Sequence, residues 1–226
     1  MTEGRERWVH LYEFRVPGEP GAGAWGLLDD CERARAARIL DPARRGRFAA
    51  RRAALREILS GYAGRPAAAL DLAACGVCFS SSHSGDVAAV AVATRPVGVD
   101  IELEQPRRAL DRIATRMFAP AERNVLRSVE GDVRTHMFHR CWVAKEAYAK
   151  GLGRGLGMRF DDFSVAAALC SWDERGPVRD PMAIGEPWTV SLTTVGERHL
   201  AVAAMGSDWE LERRTVPGAV VEVCVG

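Results

Sequence analysis

The chain has 226 residues, 47% hydrophobic and 27% charged, and its 31 Lys+Arg against 30 Asp+Glu give a formal net charge of +1. That is the makeup of a globular protein of one or two domains with a sizeable core, and it excludes bulk disorder, coiled coil and collagen. A near-zero charge balance gives no global attraction to nucleic acid or an anionic membrane. The longest apolar run, Val87–Ala93, is far short of the ~20 residues a membrane span needs. No apolar targeting core follows the charged start Met1–Arg7, so a cytoplasmic location is expected.

Trp8–Phe14 alternates as a strand, and Trp25–Ile39 reads as a helix with Leu28, Cys31 and Arg35 in step. Asp41-Pro42 supplies an N-cap acid and a proline at the first helical position. That helix runs to about Tyr62 and is stopped by Gly61 and Gly64-Arg65-Pro66. Its apolar stripe is Phe48, Leu55, Leu59 and Tyr62. Arg52 falls on the same stripe and therefore needs a partner, whereas Arg44, Arg47 and Arg51 share a neighbouring face. Nine arginines lie between Arg33 and Arg56 against Asp41 alone, with Glu57 just beyond, a basic patch in a neutral protein.

Strands are expected over Cys75–Ser80 and Val87–Thr94, joined by the turn Ser82–Asp86, and over Val97–Glu102. Helices follow over Pro106–Phe118, from Pro120, and over Arg134–Lys150, ending at Gly151. The remainder reads as strands: Phe163–Leu169, Trp188–Thr194, His199–Met205 and Val220–Val225, with Val195-Gly196-Glu197 as a turn. A long helix followed by a hairpin occurs in each half, and both hairpins are a polar turn feeding a small-residue strand. The pattern suggests two similar α+β halves, 1–96 and 97–226, divided near Arg95-Pro96. Of the six cysteines, only Cys75-Gly76-Val77-Cys78 has a metal-like spacing, and without a second ligand pair it predicts reduced thiols.

Gly98-Val99-Asp100-Ile101-Glu102 sets two carboxylates on one face of a strand. Such a pair suits a hard divalent cation, or is the wet side of a strand whose Val99 and Ile101 are buried. Glu146 and Lys150 lie one above the other on a helix. They form either a surface pair or a third carboxylate and a compact cation at a metal-dependent phosphate site. The chain has two lysines, Lys145 and Lys150, and both flank this glutamate, which favours the second reading. Ser80–Gly85 is hydroxyl-rich with one histidine, a phosphate cradle or a plain hairpin, and no nucleophile motif accompanies it.

In this order and spacing the motifs resemble those of the surfactin-type (Sfp-type) phosphopantetheinyl transferases. That family carries F-N-x-S-H-S-G, G-[IV]-D-[IV]-E and W-x-x-K-E-A-x-x-K-x-x-G-x-G-L. Here they stand as Phe79–Gly85, Gly98–Glu102 and Trp142–Lys150 running on to Leu156. Phe118–Glu122 matches an F-x-x-x-E element, and Asp41–Leu59 an arginine-rich N-terminal stretch. The resemblance implies an α+β pseudo-dimer of two similar halves, with coenzyme A in the cleft between them. It also implies transfer of 4′-phosphopantetheine to a serine of an apo acyl or peptidyl carrier protein, releasing adenosine 3′,5′-bisphosphate. By the same resemblance Asp100, Glu102 and Glu146 hold Mg²⁺, Glu146 is the base, and Lys150 neutralises the pyrophosphate and assists the leaving group. Ser82 and His83 contact the coenzyme's phosphates, and Arg44, Arg47 and Arg52 bind its 3′-phosphate. A monomer is expected, with no nucleic-acid or membrane partner.

Two departures stand out. Ser80 replaces the family's usual Asn, and Ala67–Val77 contains no G-K-P loop of the kind that touches adenine in relatives. The residues do not name the carrier, since polyketide, nonribosomal peptide, siderophore and fatty-acid carriers fit alike. The alternatives are a Mg²⁺-dependent phosphodiesterase or nuclease using the same acids, and a non-catalytic module that kept the fold. In Arg107–Phe118 the stripe Leu110, Ile113 and Met117 runs beside Arg108, Arg112 and Arg116. That segment is either core with a solvated basic face or a docking surface for an acidic carrier.

Overall fold

The computed structural model describes residues 7–21, 23–105, 110–154, 157–217 and 222–223. The elements in chain order are β1 (Trp8–Arg15), α1 (Ala24–Leu27), α2 (Asp30–Ala37), α3 (Pro42–Ala63), β2 (Cys78–Ser84), β3 (Val87–Ala93) and β4 (Val97–Leu103). Then come α4 (Leu110–Met117), α5 (Pro120–Arg127), α6 (Gly131–Gly151), α7 (Ala166–Leu169), β5 (Arg175–Pro177), β6 (Trp188–Val195), β7 (Arg198–Met205), β8 (Glu210–Arg214) and β9 (Glu222–Val223).

The strands form two sheets. The first runs β2-β3-β1-β8 with β9 also on β1, and the second runs β4-β7-β6-β5. The β1–β8 pair is parallel and the other strand pairs are antiparallel. Alternation explains the layering. In β3, Ala88, Val90 and Val92 pack under α3 with Leu55, Ile58 and Leu59. Val87, Ala89, Ala91 and Ala93 point the other way, into a seam shared with Val97, Val99, Ile101, Leu200 and Val202 of the second sheet. The far face of the second sheet is covered by α6 through Phe138, Ala144, Ala147 and Tyr148. The order is therefore helix, sheet, sheet, helix, an α+β architecture with one long helix on each outer face.

Both hairpins turn on glycine in the left-handed region, Gly85 at φ 58° and Gly196 at φ 57°, which a two-residue turn between twisted strands requires. Gly98 has a packing reason. A Cβ there would sit 1.9 Å from the Ala147 carbonyl oxygen, so only glycine lets β4 lie against α6.

Several expectations are corrected. The helix expected over Trp25–Ile39 is broken at Leu28, whose ψ is 140°, because Asp29 and Glu32 form a reciprocal capping box that starts α2 afresh. Ser82 and His83 belong to strand β2 and not to a turn, which shrinks to Gly85-Asp86. Phe163–Leu169 is not a strand, since Ala166–Leu169 is a short helix of strong helix formers. α6 begins at Gly131, before the expected Arg134. β5 and β8 are additional strands, and β8 and β9 return to the first sheet, so the sheets do not follow a division at 96/97. Of the two segments expected over Pro106–Phe118 and Val220–Val225, residues 106–109, 220, 221, 224 and 225 lie outside the described residues. Cys31, Cys75, Cys78, Cys141 and Cys170 are free thiols. Among the described residues no helix is long and apolar enough to cross a membrane.

Candidate active site

Period-two alternation sends Val99 and Ile101 into the seam between the sheets and turns Asp100 and Glu102 toward α6. There Lys150 Nζ donates to Asp100 Oδ1 at 2.6 Å and to Ser82 Oγ at 2.8 Å. Ser82 Oγ itself donates to Asp100 Oδ1 at 2.6 Å. Ser84 Oγ donates to Glu102 Oε2 at 2.9 Å. The same strand face closes the join between the sheets, because the Val99 and Leu103 amides donate to Ser80 Oγ and Ser84 Oγ, each at 3.1 Å. Ser80, Ser82 and Ser84 thus act as a side-chain ladder in place of backbone pairing between β2 and β4. Alternation along β2 could have indicated this in the sequence.

The acids crowd one another. Burial raises Asp100, with Lys150 and Ser82 opposing and Glu102 reinforcing the rise. Burial, then the Asp100 charge, lifts Glu146 to about 7, with Lys150 pulling the other way and Glu102 adding to the rise. Asp100 Oδ2 is buried without a hydrogen-bond partner. An orphaned carboxylate oxygen among like charges is what a hard cation would satisfy, so the residues present fit Mg²⁺.

Lys145 is not part of this site. It is fully buried, 3.2 Å from Glu122 Oε1, and donates to the Phe160 and Phe163 carbonyls at 2.7 and 2.6 Å. Glu122, from the F-x-x-x-E element, accepts the Val165 amide at 2.6 Å. This buried pair fastens α5 and the 160–165 segment to α6. Helical geometry holds the signal, since residues 145 and 146 stand ~100° apart while 146 and 150 are nearly superposed.

On the other face of β2 a groove of about 250 Å³ opens under α3, lined by Arg35, Arg51, Arg52, Ser81, Ser82 and His83. Arg52 has the partner its position demanded: its Nε donates to Glu32 Oε1 at 2.6 Å. Arg56, fully buried, donates to Glu32 Oε2 at 2.7 Å and also pairs with Asp29. Arg51 has no such partner among the described residues. Loss of water, then the neighbouring Arg47 and Arg35, bring it down to about 10. His83 is likewise pushed down by desolvation, Arg51 and Lys150. Arg44 is exposed and does not line the groove. The sequence expectation for Arg44, Arg47 and Arg52 thus passes over Arg51 and Arg35, which the geometry puts in the groove. Ser82 reaches both sides, touching Asp100 and Lys150 and lining the arginine groove.

A carboxylate cluster with a lysine, joined across one strand to a cationic groove whose Arg51 has no acid partner among the described residues, suits a phosphorylated ligand. Residues 96–203 match the profile of the 4′-phosphopantetheinyl transferase superfamily. Over 177 residues the chain is 36% identical to the 4′-phosphopantetheinyl transferase HetI of Nostoc sp., covering 70% of this chain and 73% of that one. The chain belongs to the 4′-phosphopantetheinyl transferase family. A segment of 87 residues, 38% of each chain, is 37% identical to the transferase Sfp of Bacillus subtilis. Among solved structures, a holo-(acyl-carrier-protein) synthase from Bacillus anthracis, in complex with CoA (3′,5′-ADP), is 22% identical with a TM-score of 0.40. It covers 50% of this chain and 96% of that one. As a member of the family, the transferase moves phosphopantetheine from coenzyme A to carrier proteins.

Proposed function

We propose that the transfer depends on Mg²⁺ held by Asp100, Glu102 and Glu146, and that the free Asp100 Oδ2 is the observation that carries this reading. The ion supplies charge neutralisation at the pyrophosphate. Lys150 lies against Asp100 with one N–H unused among the described residues. That donor meets the pyrophosphate and stabilises negative charge as the phosphate–phosphate bridge breaks. Ser82 fixes the lysine's position. Glu146 accepts the proton of the carrier's serine hydroxyl. The serine oxygen bonds to the phosphorus bearing pantetheine, and adenosine 3′,5′-bisphosphate leaves.

The cationic groove under α3 takes the coenzyme's 3′-phosphate, with Arg51 as its principal cation and Arg35, Arg47 and His83 beside it. Arg52, held by Glu32, forms part of the wall. The reading is of a cytoplasmic, monomeric enzyme acting on an acidic carrier. Its test is one assay: apo carrier protein, coenzyme A and Mg²⁺, followed by intact mass. Addition of phosphopantetheine that stops in excess chelator is the expected result. Transfer that continues in chelator overturns the metal assignment.

A further inference from the structure

Three of the chain's five histidines meet away from the carboxylate triad, where the first half of α6 passes the ends of β4 and β7. Glu104 just beyond β4, His136 on α6 and His199 on β7 each bring one ligand atom to within 4.8 Å of the others. His199 Nε2 lies 2.8 Å from Glu104 Oε2, and His136 Nδ1 lies 3.5 Å from the same oxygen. Donors around a tetrahedral zinc at ~2.0–2.1 Å stand ~3.3 Å apart, a spacing these two contacts bracket.

The surroundings match those of a metal-binding imidazole. His199 is fully buried, and its second nitrogen, Nδ1, is 3.3 Å from Thr194 Oγ1, which Arg140 anchors at 3.1 Å. A ligating histidine ordinarily has such an outer partner to fix its ring. His136 meets His199 edge-on at 4.6 Å, and His139 stacks on it at 5.5 Å. His139 Nδ1 lies 2.9 Å from the Thr135 carbonyl oxygen. A carbonyl only accepts, so Nδ1 carries the proton and Nε2 has a bare lone pair. That nitrogen is buried without a partner, but it lies outside the cluster of three ligand atoms, and His139 contributes its ring and not a ligand.

We infer that Glu104, His136 and His199 form a second metal site, one for Zn²⁺ or a similar borderline transition ion. Two imidazoles and one carboxylate favour such an ion, whereas the all-oxygen triad suits Mg²⁺. The site is ~15 Å along α6 from Glu146, at 1.5 Å per residue, and takes no part in the transfer. It ties α6 to β4 and β7 and does not depend on the transferase reading.

The test uses the untagged full-length protein, stripped with chelator and kept in millimolar Mg²⁺ so that the triad is filled. Co²⁺ is titrated in and the visible absorption of tetrahedral cobalt is followed. One equivalent is expected to bind and to be displaced by Zn²⁺. His136→Ala and Glu104→Gln should each weaken binding by at least the ~10–100-fold that loss of a mere outer partner costs. Asp100→Asn should titrate like wild type. Zn²⁺ should raise the melting temperature of wild type and not of His136→Ala. His136 is 39% exposed in its side chain, so its replacement is expected to leave the fold intact, and a melting curve without metal checks this. Absence of the cobalt band overturns the site. So does a band that persists unchanged in His136→Ala, for which thiolate charge-transfer absorption would place the ion on exposed Cys31 or Cys170.

Discussion

The two long helices each carry a pair of cations five residues apart, and in each pair one side chain is consumed by folding while the other borders a groove or the carboxylate cluster. On α3, Arg56 is 1% exposed and donates to Glu32, Asp29 and the Ala67 and Leu70 carbonyls, whereas Arg51 lines the groove with no partner among the described residues. On α6, Lys145 is sealed against Glu122 and two carbonyls, whereas Lys150 is 28% exposed at the edge of the carboxylates. Five residues turn a helix by ~140°, so the two members of each pair cannot share a face. A cation buried among several acceptors holds elements together. One with a donor left over, or none used, is available to an anionic ligand.

The largest expected effect separates the two lysines. Lys145→Met leaves Glu122 charged and buried without its partner, and breaking such a pair costs ~3–5 kcal/mol. Denaturant unfolding should show that loss, and Lys145→Met with Glu122→Leu should recover much of it. Lys150→Met takes the cation from Asp100 at a partly exposed position, so it should cost less stability than Lys145→Met, and it should lower turnover more than it weakens coenzyme A binding, because its charge matters most as the leaving phosphate develops. If both single variants lose stability equally, the distinction drawn along α6 is wrong.

The metal side of the comparison is sharpened by Asp100→Asn, which keeps the shape of the side chain. Initial rates from carrier mass shifts should fall at least ~10²-fold, equivalent to ~2.7 kcal/mol in the barrier, with an unfolding midpoint at or above wild type. A variant retaining full rate would remove Asp100 from the reaction.

The fold's framework was legible because local chemistry dictates it. Asp41-Pro42 begins α3, alternation in Val97–Leu103 separates seam from site, and Gly98 permits the close approach of α6. The carboxylates and Lys150 were legible for the same reason, since period two and i, i+4 are short-range rules. What failed was long-range. Arg52 called for a partner by its place on the apolar stripe, but that partner, Glu32, lies 20 residues away, and nothing in α3 alone reveals that the Asp29–Glu32 capping box is also the anion for Arg52 and Arg56. Arg51 was passed over because choosing among neighbouring arginines requires knowing which face β2 covers. The Glu104, His136 and His199 cluster unites residues from three elements, and no spacing rule joins them.

On the N-terminal side, Arg51→Ala tests the groove. A charge-assisted hydrogen bond contributes ~1.5–3 kcal/mol, so KM for coenzyme A should rise more than tenfold while KM for 3′-dephospho-coenzyme A barely moves. Arg44→Ala, an exposed position outside the lining, should leave both unchanged. Equal use of the two substrates by wild type would show that no arginine of α3 reads the 3′-phosphate.

The smallest effect concerns the carrier, for which neither long helix supplies the surface. In α4, Leu110, Ile113 and Met117 are partly buried against the α6 core, while Arg112 and Arg116 on the same helix are exposed. The apolar stripe is thus already occupied by folding, and the arginines are left as the accessible feature close after Glu102 in sequence. Exposed charges act mainly on encounter and set the on-rate more than the final affinity, and they are screened beyond ~10 Å at 0.1 M salt. Arg112→Glu with Arg116→Glu should therefore raise KM for an acidic carrier several-fold, leave KM for coenzyme A alone, and flatten the fall of kcat/KM with salt. Initial rates against carrier concentration at low and moderate ionic strength read all three. Identical carrier KM and identical salt slopes in the double variant would move docking off α4, and leave both of its arginines as solvated surface beside the core.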